Sequence, residues 1–270
     1  TALLDPALTA QYADGFTLGG GSCFGLDAPG GVQGFLRSQG RGVPFGRTRV
    51  PIVPGAIIFD LMNGGDKEWG LLSPYREMGL AAAQAARPGD FALGTVGAGT
   101  GATTATLKGG LGSASAVTST GHIVAALAVV NAVGTATIGD GPHFWAAPFE
   151  QGDEFGGLGL PKTISEEDLR PRLKGVMPRA NTVIACIATD AQLSKAECKR
   201  LALAAHDGLA RAIRPAHTPM DGDTVFALAG AAPDAACVAL GNGAARTVGL
   251  GRIGSAAADC LARAIARAVY

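Results

Sequence analysis

A chain of 270 residues, 47% hydrophobic and 16% charged, is long enough to bury a full core. Its 22 basic and 22 acidic side chains balance to a formal net charge of +0, which argues against nucleic acid or an anionic membrane as the main partner. No apolar stretch reaches the roughly 20 residues needed to span a bilayer, so no membrane association is expected.

The first segment reads as a strand at 15–18, a glycine turn through Gly19-Gly20-Gly21-Ser22, and a helix capped near Asp27 that ends by Gly40, with Pro29 in its first turn. Residues 56–61 read as a short strand. Ser73-Pro74 is an N-cap followed by a first-turn proline and opens an alanine-rich helix to about Arg87. Seven glycines between 94 and 115 exclude an ordinary helix and predict turns and strands in close backbone contact with other segments. Residues 122–133 form a valine- and alanine-rich strand. The stretch 141–179, with Pro161, Pro171 and Pro178, reads as an exposed connection.

The apolar run 182–189 is a strand. Ser194 and Glu197 then form a capping box, and Leu201, Ala205, Leu209 and Ile213 recur at i+4 on one helical face. Residues 224–229 give another strand. A last helix from about Ser255 carries Leu261, Ile265 and Val269 on one side, with Arg263 and Arg267 placed near its C-terminal end as the helix dipole favours. Strands grouped with helices of apolar face predict sheets covered by helices, and no linker or repeat divides the chain, so residues 1–270 read as one domain.

Cys23, Cys186, Cys198, Cys237 and Cys260 are odd in number, include no C-x-x-C pair and sit among apolar residues. They read as buried free thiols of a reducing, cytoplasmic compartment. The four histidines lack metal-ligand spacing, and neither a dinucleotide fingerprint nor a phosphate loop is present, so no metal or cofactor is expected. Gly20-Gly21-Ser22-Cys23-Phe24 misses the nucleophile-elbow pattern because Phe24 fills its last glycine position. Phe144, Trp69 and Trp145 are candidate pocket residues, though core or loop positions serve equally.

The chemistry-bearing residues are Asn181-Thr182 at the head of a strand, Asp221-Gly222-Asp223 about forty residues on, and Lys108 and Asn131 upstream. A threonine hydroxyl is a weak nucleophile at neutral pH. If the chain were cut before Thr182, the freed α-amine, with a pKa of about 7.7–8.0, could serve as its base. Asp221 and Asp223 lie at i and i+2, so their carboxylates point to one face; a nearby cation such as Lys108 would offset their repulsion. Asn131 could hold an oxyanion through its side-chain N–H. Each has an ordinary alternative: a solvated Asx turn for the aspartates, a turn asparagine, and an exposed loop lysine.

Taken together, these segments resemble the self-processing L-aminopeptidase/D-esterase family, which includes β-peptidyl aminopeptidases and nylon-oligomer hydrolases. The resemblance rests on GGGSCFGLDAPGGVQGFL (19–36), VPIVPGAIIFDL (50–61), GTVGAGTGATTATLKGGLGSAS (94–115), ALAVVNAVG (126–134), ANTVIACIATDAQLSK (180–195) and HTPMDGDTVFALA (217–229). It implies an α+β fold, a four-layer αββα sandwich of the N-terminal-nucleophile hydrolase type. It also implies autocatalytic cutting of Asn181–Thr182 by an N-to-O acyl shift, giving chains 1–181 and 182–270.

On the same resemblance, Thr182 is the nucleophile, Lys108 and Asn131 tune it and hold the oxyanion, and Asp221 and Asp223 orient its hydroxyl and amine. The Asp-Gly-Asp version is similar to the nylon-oligomer branch. The expected partner is a small peptide or amide substrate, and the expected assembly a homotetramer of cut pairs. Two departures stand out: the sequence starts past the family's N-terminal strand region, and Cys23 replaces a small residue such as Ala. The alternative is an uncut, non-catalytic relative or small-molecule binding module with the same fold.

Overall fold

The computed structural model describes residues 1–175, 181–230 and 239–270. The chain folds as two compact units, residues 1–92 and 93–270.

In the first unit, strand β1 (Thr17–Gly19) leads through a single-turn segment into helix α1 (Ala28–Ser38). A short hairpin follows, β2 (Val43–Phe45) and β3 (Thr48–Val50), and then β4 (Gly55–Ile57), which pairs parallel with β1. Helix α2 (Tyr75–Ala85) packs on α1. The expected elements are present but shorter. The strand at 56–61 ends at Ile57, since Asp60 turns its carboxylate onto the Gly21 N–H at 2.7 Å instead of continuing the ladder. Ser73 does not cap α2; its hydroxyl donates to Asp27 at 3.3 Å.

The second unit is built on one four-stranded sheet in the order β5 (Gly110–Val117), β6 (Ile123–Asn131), β7 (Thr182–Thr189), β8 (Thr224–Ala229). The first three strands are antiparallel to their neighbours; β8 runs parallel to β7. Helices α3 (Lys195–Ala205), α4 (Asp207–Ala212) and α5 (Gly243–Val269) join this sheet.

Period-two alternation sorts the strand residues into two faces. Ala114, Val124, Ala126, Ala128, Val130, Val183, Ala185, Ile187 and Val225 share a core with Leu201, Leu209, Leu261 and Ile265 of the helices. Each fully buried branched side chain among them contributes about 1.5–3 kcal/mol. Small residues bring α5 down onto the sheet: a Cβ on Gly112 would run into the carbonyl oxygen of Ala264. The opposite face also buries Val129, Ile184 and Phe226, and it carries Asn131 and Thr182.

Several further expectations need correction. The last helix starts at Gly243, not near Ser255. Its glycines look like breakers in sequence, yet they allow close packing: a Cβ on Gly249 would lie 2.7 Å from Leu240 Cδ2. The helix expected across 201–213 is two helices joined at His206, although Leu201, Ala205, Leu209 and Ile213 are all buried as the pattern requires.

Arg263 is not a solvent-facing partner of the helix dipole. It is buried, donating to both oxygens of Glu154 at 2.5 and 2.9 Å and to the Ser115 carbonyl at 2.8 Å. The stretch 141–179 is not wholly exposed, since Phe144, Ala146 and Phe155 enter the core; its residues 176–180 lie outside the described residues. Of the cysteines, Cys260 is buried, Cys186 and Cys198 are half-buried, and Cys23 is exposed, so it does not serve packing as expected. Cys237 lies outside the described residues. Among the described residues no helix is long and apolar enough to cross a membrane.

Candidate active site

Thr182 opens β7 directly opposite Asn131, the last residue of β6, so the two side chains share one face at one end of the sheet. The threonine is buried, at 8% exposure. Its hydroxyl donates to the carbonyl oxygen of Asn181, the acyl oxygen of the peptide bond that precedes it. The backbone N–H of Gly222 donates to the same oxygen at 3.0 Å. Asn181 itself bridges Asp221 in parallel fashion, in the β7–β8 register but three positions before its first pair, Ile184–Thr224.

Asn181 is 2% exposed, and among the described residues neither atom of its side-chain amide has a hydrogen-bond partner. An unsatisfied buried polar group costs about 1–3 kcal/mol. The uncut chain therefore carries a destabilised residue immediately before Thr182.

The two aspartates of the 221–223 motif are held by separate donors. Asp221 accepts from the backbone N–H of Val133 at 3.3 Å, and from the backbone N–H and hydroxyl of Thr218 at 3.1 and 2.9 Å. Asp223 accepts from the N–H of Val183, the residue after Thr182, at 2.9 Å, and its other oxygen lies 2.8 Å from His217 Nδ1. The Asp223 side chain is only 6% exposed. Burial is the largest influence on its carboxyl and raises it above the usual carboxylate range. The Val183 N–H opposes that shift, the charge of Asp221 adds to it, and His217 opposes it.

Asn131 receives two donors on its side-chain oxygen: the Thr103 N–H at 3.1 Å and the Lys174 ammonium at 2.8 Å. Lys174 also donates to the Thr103 carbonyl at 3.2 Å, and its own N–H is tied to Val133 at 2.8 Å. Burial pulls this lysine down to about 8, while the charge of Asp221 favours its protonated form.

The structure thus brings together Thr182, Asn131, Asp221 and Asp223 at one end of the sheet, but not the ammonium of Lys108. Lys108 is exposed, and its backbone bridges Thr103. Among the described residues no hydrogen bond or ion pair of its side chain reaches Asn131 or Thr182. Lys174 and His217 were missed in sequence. Lys174 sits in a proline-rich stretch without periodicity, and His217 stands alone, with no second ligand-type residue at a suggestive spacing.

The aromatic pocket candidates separate. Phe144 is core, in edge contact with Phe155. The indole N–H of Trp145 donates to Thr135, and the Arg214 guanidinium lies over its ring. Trp69 lines a cavity of about 430 Å³ in the first unit with Phe24, Asp27 and Leu72.

The model of peptidase family S58 matches residues 2–270. An uncharacterized aminopeptidase of Mycobacterium tuberculosis (strain ATCC 25618 / H37Rv) is 45% identical over 98% of this chain and 76% of its own length. A 6-aminohexanoate-oligomer endohydrolase of Kocuria sp. (strain KY2) is 31% identical over 78% of this chain and 59% of its own length.

Among solved structures, a Burkholderia sp. beta-aminopeptidase superposes with a TM-score of 0.57 at 26% identity, covering 90% of this chain and 64% of that one. The L-aminopeptidase D-Ala-esterase/amidase of Ochrobactrum anthropi, described as a variant of the Ntn (N-terminal-nucleophile) hydrolase fold, gives 0.57 at 21% identity over 91% and 62%. The chain spans under two thirds of these two structures. The α+β, Ntn-hydrolase fold expected from the sequence is therefore the fold of this protein. With a family match that runs from its second residue to its last and covers both the Thr182 strand and the aspartate motif, the chain belongs to peptidase family S58.

Proposed function

We propose that the protein is a self-cutting N-terminal-threonine hydrolase. It would act on short peptides, amino-acid amides or oligomers of β- or ω-amino acids with a free amino end. The observation that carries this reading is the pair of donors on the Asn181 carbonyl oxygen, the Thr182 hydroxyl and the Gly222 N–H.

In the uncut chain the Thr182 hydroxyl oxygen attacks the Asn181 carbonyl carbon. Negative charge builds on the oxygen that the Gly222 N–H already meets, which is the geometry of a one-donor oxyanion hole. The Asn181–Thr182 C–N bond breaks, the proton lost by the hydroxyl goes to the departing nitrogen, and an ester links Asn181 to the threonine oxygen. Water hydrolyses that ester, leaving a carboxylate on Asn181 and a free α-amine on Thr182. The orphaned Asn181 amide supports the cut, since release would return it to water.

In the cut protein the α-amine is the base for the hydroxyl in both acylation and deacylation. Asp221 and Asp223 orient the amine and hydroxyl, and the pair offers a negative end to a substrate ammonium, which selects aminopeptidase over endopeptidase action. Asn131 holds the oxyanion in turnover. Lys174 is the cation that meets Asn131 before the cut; Lys108 is assigned to tuning the nucleophile afterwards, once the segment carrying Lys174 is free to move. The working form is read as a homotetramer of cut pairs, an assignment that rests on the family resemblance and is checked by light-scattering mass; the cytoplasmic assignment rests on the unpaired cysteine pattern.

The test is an intact mass spectrum of freshly purified, denatured protein. Two species corresponding to residues 1–181 and 182–270, with Thr182 leading the second, are expected. A single species of 27.0 kDa would overturn the self-cutting reading.

A further inference from the structure

The machinery proposed above leaves one side chain unused. His217 places Nδ1 2.8 Å from the Asp223 carboxylate, and the other carboxylate oxygen holds the N–H of the residue after Thr182. The carboxylate is buried while the imidazole is 41% exposed, so the ring connects a buried acid to solvent. His217 also has a φ of +55°, a left-handed conformation that a non-glycine residue keeps only where its surroundings demand it. Its Nε2 approaches the His206 carbonyl at 3.4 Å, and the two imidazole rings are 5.2 Å apart.

We propose that His217 is a positioning residue for the chemistry of Thr182, acting through Asp223: its Nδ1–H holds that carboxylate in place and keeps it ionised. This inference deepens the hydrolase reading and rests on it for the consequence on turnover.

Asp223 needs such a partner. Burial and the neighbouring Asp221 both favour its protonated form, and a neutral Asp223 would lose its hold on an amine. The groups facing the imidazole are Asp223 and His206. Asp221 acts on the same carboxylate, and Lys199 and Asp207 act on His206, whose own protonation is disfavoured first by burial and next by the charge of His217.

Two substitutions test the hydrogen bond. His217→Asn puts an amide nitrogen close to the position of Nδ1, and Asn tolerates the left-handed backbone. His217→Ala removes the donor. Circular dichroism of each variant checks folding.

With an aminoacyl amide substrate, His217→Ala is expected to lower kcat by about tenfold or more, with a smaller change in KM. His217→Asn is expected to restore most of kcat. Wild-type kcat and an unchanged pH profile in His217→Ala would overturn the proposal.

If even the wild-type chain turns over no substrate, the hydrolase reading fails separately. The proposal is then tested by NMR of the His217 ring, whose hydrogen-bonded Nδ1–H signal is expected to be lost or to move upfield in Asp223→Asn, since a carboxylate is the stronger acceptor. A signal that does not move would overturn it.

Discussion

Gly222 stands so close to Thr182 that a Cβ placed on it would lie 3.1 Å from the threonine hydroxyl oxygen. The spacing leaves room for the hydroxyl to meet the Asn181 carbonyl, and the same residue supplies the backbone N–H on that oxygen. Gly222→Ala is expected to crowd the hydroxyl and slow the appearance of the 182–270 chain. Gly222→Pro, which removes the N–H, is expected to slow it by about 10²–10³-fold, the usual effect of losing one oxyanion donor. The rate is read from the ratio of cut to uncut chain over time on a denaturing gel.

Thr182→Ala is expected to give one uncut chain with no turnover, and Thr182→Ser to retain cutting because the hydroxyl remains. Cut chains from Thr182→Ala would sink the assignment of the nucleophile.

Lys174 carries a pH signature. Its buried amine loses its proton at about 8 when folded, against 10.5 in the unfolded chain. Between these values the unfolded chain binds more protons, so this residue's contribution to stability rises with pH. The cost of burying the charged form is complete below about 8 and disappears above 10.5. Denaturant midpoints of wild type and Lys174→Met, compared from pH 6 to pH 10, are expected to shift in favour of wild type as pH rises. A constant difference would contradict the burial of this amine.

The Arg263–Glu154 pair predicts a large loss on one-sided substitution. Arg263→Met leaves the Glu154 carboxylate without its two hydrogen bonds and with only the more distant Arg267, at 3.7 Å, and is expected to cost up to about 3 kcal/mol in urea unfolding. Burial alone would raise the Glu154 carboxyl, but the hydrogen bonds from Arg263 and the Gln151 N–H, with the charges of Arg263 and Arg267, hold it below its usual range. The stability this acid supplies is thus present above its unfolded pKa and is lost as pH falls through the folded one.

The cysteines predict a labelling order. Cys23 is exposed, while burial pushes the Cys186 thiol up to about 12 and Cys260 up to about 11. In the native protein an alkylating reagent is expected to label Cys23 ahead of Cys186, Cys198 and Cys260, and Cys23→Ser to remove that label.

The sheet of the second unit was legible because its strands obey a strict rule. β7 and β8 are uninterrupted apolar runs, and β8 matches its expected limits. Thr182 and the aspartates were legible because polar residues at the edges of such runs stand out. What stayed hidden depends on contacts between distant segments. The glycines at 249 and 254 read as helix breakers until their neighbours, Leu240 and Ala204, are known. Lys174 reads as an ordinary loop cation until its N–H is seen tied to Val133 and its ammonium to Asn131. Lys108, with the more suggestive neighbours in sequence, is exposed, with its backbone bridged to Thr103.

The β6–β7 ladder pairs residues 124–131 with residues 182–189, and α5 from the C-terminal end lies across β5 and β6. A cut before Thr182 would leave both products sharing one sheet and one core, held as tightly as the interior of a domain. Dilution would not part them, but denaturant would. The uncut chain can fold alone; after the cut, refolding would require two molecules to meet, and its yield would depend on concentration. The mature protein would then owe its persistence to slow unfolding more than to any ability to fold again.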